Sequence, residues 1–94
     1  DIAYSKLDEY NYVFEGKTTL IDMYRIMDIS GDAFEQEKGE ADTIAGFCIE
    51  QAGKILLKNE KIQFQNFTFT VEAADKRKIK QVKITISNTE SDEN

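Results

Sequence analysis

The sequence predicts an α+β domain, an antiparallel-rich sheet with two helices packed on one of its faces. Three observations predict it. Residues 10–15, "YNYVFE", alternate aromatic and other side chains with the period of a half-buried strand. Between residues 18 and 53 apolar side chains recur at helical spacing. After residue 60 three alternating runs follow one another across short polar turns, the pattern of a meander.

In the first strand Tyr10, Tyr12 and Phe14 make one face, Asn11, Val13 and Glu15 the other, and Gly16 ends it. Thr18 or Thr19 then caps a helix, where a hydroxyl can accept a first-turn N–H, and Asp22 suits the positive end of the helix dipole. Leu20, Met23, Tyr24 and Met27 form one buried stripe, and the helix is expected to stop near Ser30-Gly31. Residues 31–42, "GDAFEQEKGEAD", are acidic and punctuated by glycine, so they are expected to form a loop anchored by Phe34. The second helix is expected from about Thr43 to Ala52, with Asp42 placed to cap it and Gly53 as its left-handed exit.

Strands are expected around 61–65, 67–74 and 78–86, with turns at Gln65-Asn66 and Asp75-Lys76. In the second of them Phe67, Phe69, Val71 and Ala73 face one way, and Thr68, Thr70 and Glu72 the other. Ile79 falls out of phase with Val82, Ile84 and Ile86, which predicts a bulge near Lys80–Gln81. Residues 1–9 read as a linker remnant, 10–86 as the domain, and 87–94, "SNTESDEN", as a disordered polar tail.

Ninety-four residues suit one domain with a single small core. The chain begins at Asp1 without an initiator methionine or apolar leader, and reads as a piece of a longer protein or a processed fragment. No stretch approaches the roughly 20 apolar residues that span a bilayer. The net charge of −6 is unevenly spread: −8 over residues 1–53, +5 over 54–86 and −3 over 87–94. The acidic total argues against nucleic acid as the main partner. Cys48, the one cysteine, sits amid apolar neighbours and reads as an inert buried thiol or the mark of a reducing compartment. Histidine is absent, which removes the commonest general base and metal ligand and weighs against an enzyme.

Three stretches invite a functional reading. "ADTIAGFCIEQAGKI", residues 41–55, has the polar start and two glycines of a phosphate cradle, but neither the lysine-hydroxyl pair of a P-loop nor a third spaced glycine. It reads instead as a docking helix, in which Gly46 costs about 1 kcal/mol against alanine and is expected to be repaid by close approach to the sheet. Asp28, Ser30 and Asp32 mimic the start of a calcium loop, yet Ala33 stands where that loop needs glycine and Gly39 where it needs a bidentate glutamate. A solvated acidic loop, or a weak Mg²⁺ contact by Asp32, Glu35, Glu37 or Glu40, remains. Finally, "DKRKIKQVK" sets Lys76, Arg77, Lys78, Lys80 and Lys83 along one hairpin. Such a patch could meet an anionic ligand, a phospholipid headgroup or the acidic face of a neighbouring domain. Alternatively its lysines protect an exposed or edge strand from pairing. No carboxylate stands in an apolar setting that would raise its pKa, so no catalytic constellation is found.

Taken in order, "YVFEGKTTLIDMYRIM", "ADTIAGFCIEQAGKI" and "FTFTVEAADKRKIKQVKI" resemble the CorC/HlyC transporter-associated domain over about residues 10–86. Asp42, Thr43, Ala45 and Gly46 match that family's "DT-x-AG" signature, and Gly53, Lys54 and Ile55 match the segment after its second helix. Leu56 replaces the family's proline and Asn59-Glu60 its Gly-Asp turn. The resemblance implies the C-terminal module of CorC-type, CNNM-related proteins, often named hemolysins or magnesium and cobalt efflux proteins. In those chains a transmembrane domain and a CBS-domain pair precede it, which implies the cytoplasmic side of a bacterial inner membrane. The gliding-motility E proteins of Bacteroidetes share that architecture, and a lysine-rich, proline-free chain suits such a relative. The resemblance implies a non-catalytic regulatory module docking on its CBS pair or on a second copy. The alternative is a sensor of a nucleotide or flavin. The fold resembles a subdomain of PCMH-type FAD-binding proteins, so FAD or an adenine nucleotide enters by fold analogy alone and no cofactor is expected.

Overall fold

Eight elements follow one another in the computed structural model, which describes residues 2–87. They are β1 (Tyr4–Asp8), β2 (Asn11–Glu15), α1 (Leu20–Met27), α2 (Asp32–Glu37), α3 (Ile44–Ala52), β3 (Lys61–Phe64), β4 (Phe67–Ala74) and β5 (Ile79–Ile86). The strands form one antiparallel sheet in the order β1-β2-β5-β4-β3. The last strand among the described residues is therefore the central one.

Alternation decides which face of the sheet is covered. Phe14, Val82, Val71, Phe69 and Ile84 are buried beneath the helices, while Thr68, Thr70, Lys83 and Thr85 stay half-buried on the other side. The bulge expected in the last strand is present: between the Ala73–Gln81 and Ala74–Ile79 pairs β5 carries one extra residue, Lys80, and that shift turns Ile79 into the core. β4 carries a compensating extra residue, Glu72, between Val71 and Ala73.

Five expectations are corrected. Residues 1–9 are not all linker, because Tyr4–Asp8 pairs with β2 as an edge strand. Residues 31–42 are not all loop, because Asp32–Glu37 closes a short helix, which makes three helices rather than two. α1 ends at Asp28, in the left-handed region at φ 57°, before Ser30-Gly31. The cap of α3 is Thr43, whose Oγ1 accepts from Gly46 N at 3.0 Å, and not Asp42. β5 is no edge strand, so lysine protection of an edge does not explain its charge. The polar tail expected over 87–94 lies outside the described residues except for Ser87, whose N–H donates to Asn66 O at 2.7 Å.

The loop that became α2 owes its position to Phe34. Its ring lies 4.8 Å from Phe64, 5.1 Å from Phe47, 5.3 Å from Phe67 and 5.5 Å from Tyr24, centroid to centroid. Tilted aromatic contacts of this kind add about 0.5–1.5 kcal/mol each beyond simple burial. Tyr24 fixes the same segment from outside by donating its hydroxyl to Glu35 Oε2 at 2.8 Å. Burial and that carboxylate push the phenol pKa well above its ordinary value.

Gly16 joins the helical layer to the sheet. Its N–H donates to Lys80 O at 2.8 Å and its carbonyl accepts from Ala45 N at 2.9 Å. A Cβ there would stand 2.2 Å from Ile79 O and 3.1 Å from the Ala45 methyl group. The close approach expected of Gly46 is thus made by Gly16 and Ala45. A Cβ on Gly46 would instead meet Thr43 Oγ1 at 3.2 Å and Ala41 Cβ at 3.4 Å, so that glycine serves the cap.

Candidate functional site

The start of α3 can be tested as a phosphate cradle by following its N–H groups, the donors such a site would need. Ile44 N donates to Thr18 O at 2.9 Å, Ala45 N to Gly16 O at 2.9 Å and Gly46 N to Thr43 Oγ1 at 3.0 Å. Phe47 N returns to Thr43 O at 2.8 Å. Every donor of the first turn is spent inside the domain. Leu20 N donates to Asp42 O at 2.9 Å, so Thr19 and Thr43 clamp the starts of α1 and α3 together. Asp42, Thr43, Ala45 and Gly46 are therefore a structural knot, with the Asp42 carboxylate turned out to Lys38 Nζ at 3.7 Å. Gly53 closes α3 at φ 71°, its N–H donating to Ile49 O, as its position after Ala52 predicts.

The basic hairpin is organised by Asp75. Its Oδ1 accepts from Arg77 N at 2.8 Å and from Lys78 N at 2.9 Å, and its own N–H donates to Lys78 O at 2.9 Å. These backbone donors, followed by the nearby lysine charges, hold the Asp75 carboxyl below the usual aspartate value. Asp75 therefore stays ionised and offsets one of the turn's four positive charges, with its Oδ1 directed at the backbone and not at a lysine. Lys76, Arg77, Lys78 and Lys80 stand exposed, and none of them joins an ion pair among the described residues.

Lys83 does not belong to that group. It lies three residues further along β5, roughly 10 Å at strand rise, half-buried between Val13 and Thr70 on the uncovered face. Its place is taken by a residue the sequence reading missed. Lys17, after the end of β2, meets Lys78 and Lys80 around an open cleft of about 240 Å³ whose remaining walls are Glu15 and Ile79. Lys17 Nζ lies 3.7 Å from Glu15 Oε1. Only the pairing of β2 with β5 brings residue 17 to residue 78, and no local signal could have shown it.

Three lysines around a shallow cleft can hold a carboxylate or phosphate oxygen in water. The cleft offers one apolar wall, Ile79. In the acidic segment the Glu35 carboxylate is engaged by Tyr24, and no three carboxylates converge among the described residues. Cys48 is buried, and burial pushes its thiol up to about 12, which makes it unreactive at neutral pH. No helix among the described residues is long and apolar enough to cross a membrane.

Comparison with known proteins places this geometry. A domain of a CBS domain protein from Porphyromonas gingivalis, described as a transporter associated domain, superposes with a TM-score of 0.81 at 31% identity, over 88% of this chain and 95% of that one. The "Polyamine export protein" of Escherichia coli strain K12 is 32% identical over 78 residues, which are 83% of this chain and 17% of that protein. A Rickettsia bellii protein named "Possible hemolysin C" is 30% identical over 96 residues, covering 95% of this chain and 32% of its own length. This chain thus spans less than a third of those two relatives. The sequence pattern of the transporter associated domain, CorC_HlyC, matches residues 5–88, and with it the chain belongs to the CorC_HlyC transporter-associated domain family.

Proposed function

We propose that this chain is a non-catalytic regulatory and interaction module of a CorC-type membrane protein. It acts on the cytoplasmic side of a bacterial inner membrane and docks through its cationic turn on an acidic surface of the CBS-domain pair. One observation carries the reading: Lys76, Arg77 and Lys78 stand exposed beside Lys80 and Lys17, five cations against the Asp75 carboxylate, whose Oδ1 is bonded to the turn's backbone, and Glu15. A cationic surface of this kind steers encounter with an acidic partner and fixes its orientation. The resemblance points to magnesium or cobalt as the parent protein's cargo, and the E. coli relative's name points to polyamines. All of these are cations, which a cationic tip repels, so the module modulates transport and does not carry the cargo.

Titration calorimetry of the domain against its parent's CBS pair tests the docking. Lys78→Glu with Lys80→Glu is expected to weaken association at least tenfold, a loss of about 1.4 kcal/mol, without moving the melting temperature. Binding that survives this double reversal overturns the assignment of the surface. The convergence of Lys17 on the hairpin also favours a second reading, a sensor of a small anion. It requires a saturable thermal shift with AMP or ATP that the same reversal abolishes.

A further inference from the structure

β1 leaves one ladder of the sheet open. All five of its residues are exposed, including Tyr4 at 46% and Leu7 at 56%, and its outer edge has no neighbour among the described residues. Tyr4 stacks on Phe14 at 5.6 Å, and Lys6 Nζ sits 5.7 Å from the centroid of the Tyr12 ring, so both lie on the helix-covered face of the sheet. We propose that β1 pairs antiparallel with β1 of a second copy, about a two-fold axis through Ser5.

The register follows from symmetry, charge and overlap: with Tyr4 on the axis Ser5 and Lys6 fall opposite Ala3 and Ile2, which precede β1, and the two strands barely overlap. A two-fold axis perpendicular to the sheet keeps each residue on its own face, so a residue, and not the gap between two, must sit on the axis. With Lys6 on the axis two ammonium groups stand opposite each other, which opposes pairing. With Leu7 on the axis the ladder breaks, because the bulge between Lys6 and Asp8 falls there. With Ser5 on the axis Tyr4 faces Lys6 of the second copy, and Lys6 faces its Tyr4. Each lysine is then held between the Tyr12 ring of its own chain and the Tyr4 ring of the other, a cation between two aromatic faces. Leu7 is set beside Ala3 of the second copy. The two five-stranded sheets become one continuous ladder, and the lysine that would discourage edge pairing becomes its register mark. This contact uses none of the hairpin lysines and goes beyond the docking reading.

The experiment is cysteine scanning along β1 combined with sedimentation. Residues opposite each other in an antiparallel pair have Cα separations of about 4.5–5.5 Å, inside the range a disulfide bridges. The native Cys48 is buried and does not compete. Ser5→Cys is expected to give a covalent dimer under mild oxidation. Leu7→Cys alone is expected to stay uncrosslinked, and Tyr4→Cys mixed with Lys6→Cys to crosslink as a heterodimer. The unmodified chain is expected to sediment as a concentration-dependent dimer. Ser5→Lys, which sets two ammonium groups across the axis on an exposed site, is expected to raise its dissociation constant at least tenfold, with an unchanged melting temperature at dilutions where both chains are monomeric. A chain that sediments as a monomer up to submillimolar concentration overturns the proposal. So does crosslinking at Leu7 as fast as at Ser5, or a dimer dissolved by hairpin reversal and not by Ser5→Lys.

Discussion

Replacing Gly16 by alanine probes the joint on which both layers of the domain depend. The added methyl would stand 2.2 Å from Ile79 O, a backbone atom, and 3.1 Å from Ala45 Cβ. The first of these is more than about 1 Å inside van der Waals contact. A rotamer change cannot relieve it, so the strand end or the start of α3 must retreat. Retreat stretches the bonds from Gly16 N to Lys80 O and from Ala45 N to Gly16 O, which are 2.8 and 2.9 Å long. Overpacking costs about 1–3 kcal/mol, and two weakened hydrogen bonds add about 0.5–1.5 kcal/mol each. The expected loss is about 3–4 kcal/mol, against a total stability on the order of 5–14 kcal/mol for a chain of this length. In urea, with a slope of about 1.5 kcal/mol per molar, the midpoint falls by about 2 M. Ala45→Gly in the same background should restore little, because the carbonyl contact dominates. A midpoint shift below about 0.5 M, with the slope unchanged, would refute the reasoning.

Phe34→Ala removes the centre of the aromatic cluster and is expected to cost about 3–5 kcal/mol, read as loss of cooperative thermal unfolding. A variant that melts like the unmodified chain would show that α2 is not held by that ring. Gln65 adopts φ 54° in the β3–β4 turn, where a side chain costs about 1–2 kcal/mol that glycine avoids. After glycine's larger entropy loss, Gln65→Gly is expected to raise stability by up to about 1 kcal/mol in urea melts. Asp8, Asp22, Glu60 and Asp75 all have carboxyls held below their ordinary values by hydrogen bonds. Their folded pKa values are lower than their unfolded ones, so the stability they contribute is full above about pH 4–5 and is lost as pH falls through the folded values. Asp75→Asn is expected to flatten that acid limb in pH-dependent melts, and an unaltered limb would exclude the turn as a contributor.

Much of the fold was legible in local sequence because its signals are local. The 67–74 strand, the Gln65-Asn66 turn, the Thr19 cap and the Gly53 exit each follow from neighbours a few residues away. β1 was hidden because its side chains are exposed on both faces, so "YSKLD" lacks the alternation that marks a half-buried strand. α2 was hidden because one buried ring fixes it, and a single phenylalanine in six residues gives no periodicity. Asp42 and Thr43 are both capping residue types at adjacent positions; Thr43 Oγ1 reaches Gly46 N, while the Asp42 carboxylate turns to Lys38. At the candidate site the turn lysines were plain in the sequence. Lys17 was not, because a contact between residues 17 and 78 exists only after β2 and β5 have paired.

That pairing has a consequence for how the domain comes into being. β5 joins β1-β2, made near the start of the chain, to β3-β4, made much later, with Thr85 Oγ1 donating to Asn11 Oδ1 across 74 positions. A nascent chain that has not yet released residues 79–86 holds two hairpins with raw edges and no strand to join them. Closure then comes late and in one step, as expected where distant contacts dominate. A message truncated before Ile79 would yield no partly working domain, only one chain with two unjoined hairpins for chaperones and proteases to sort.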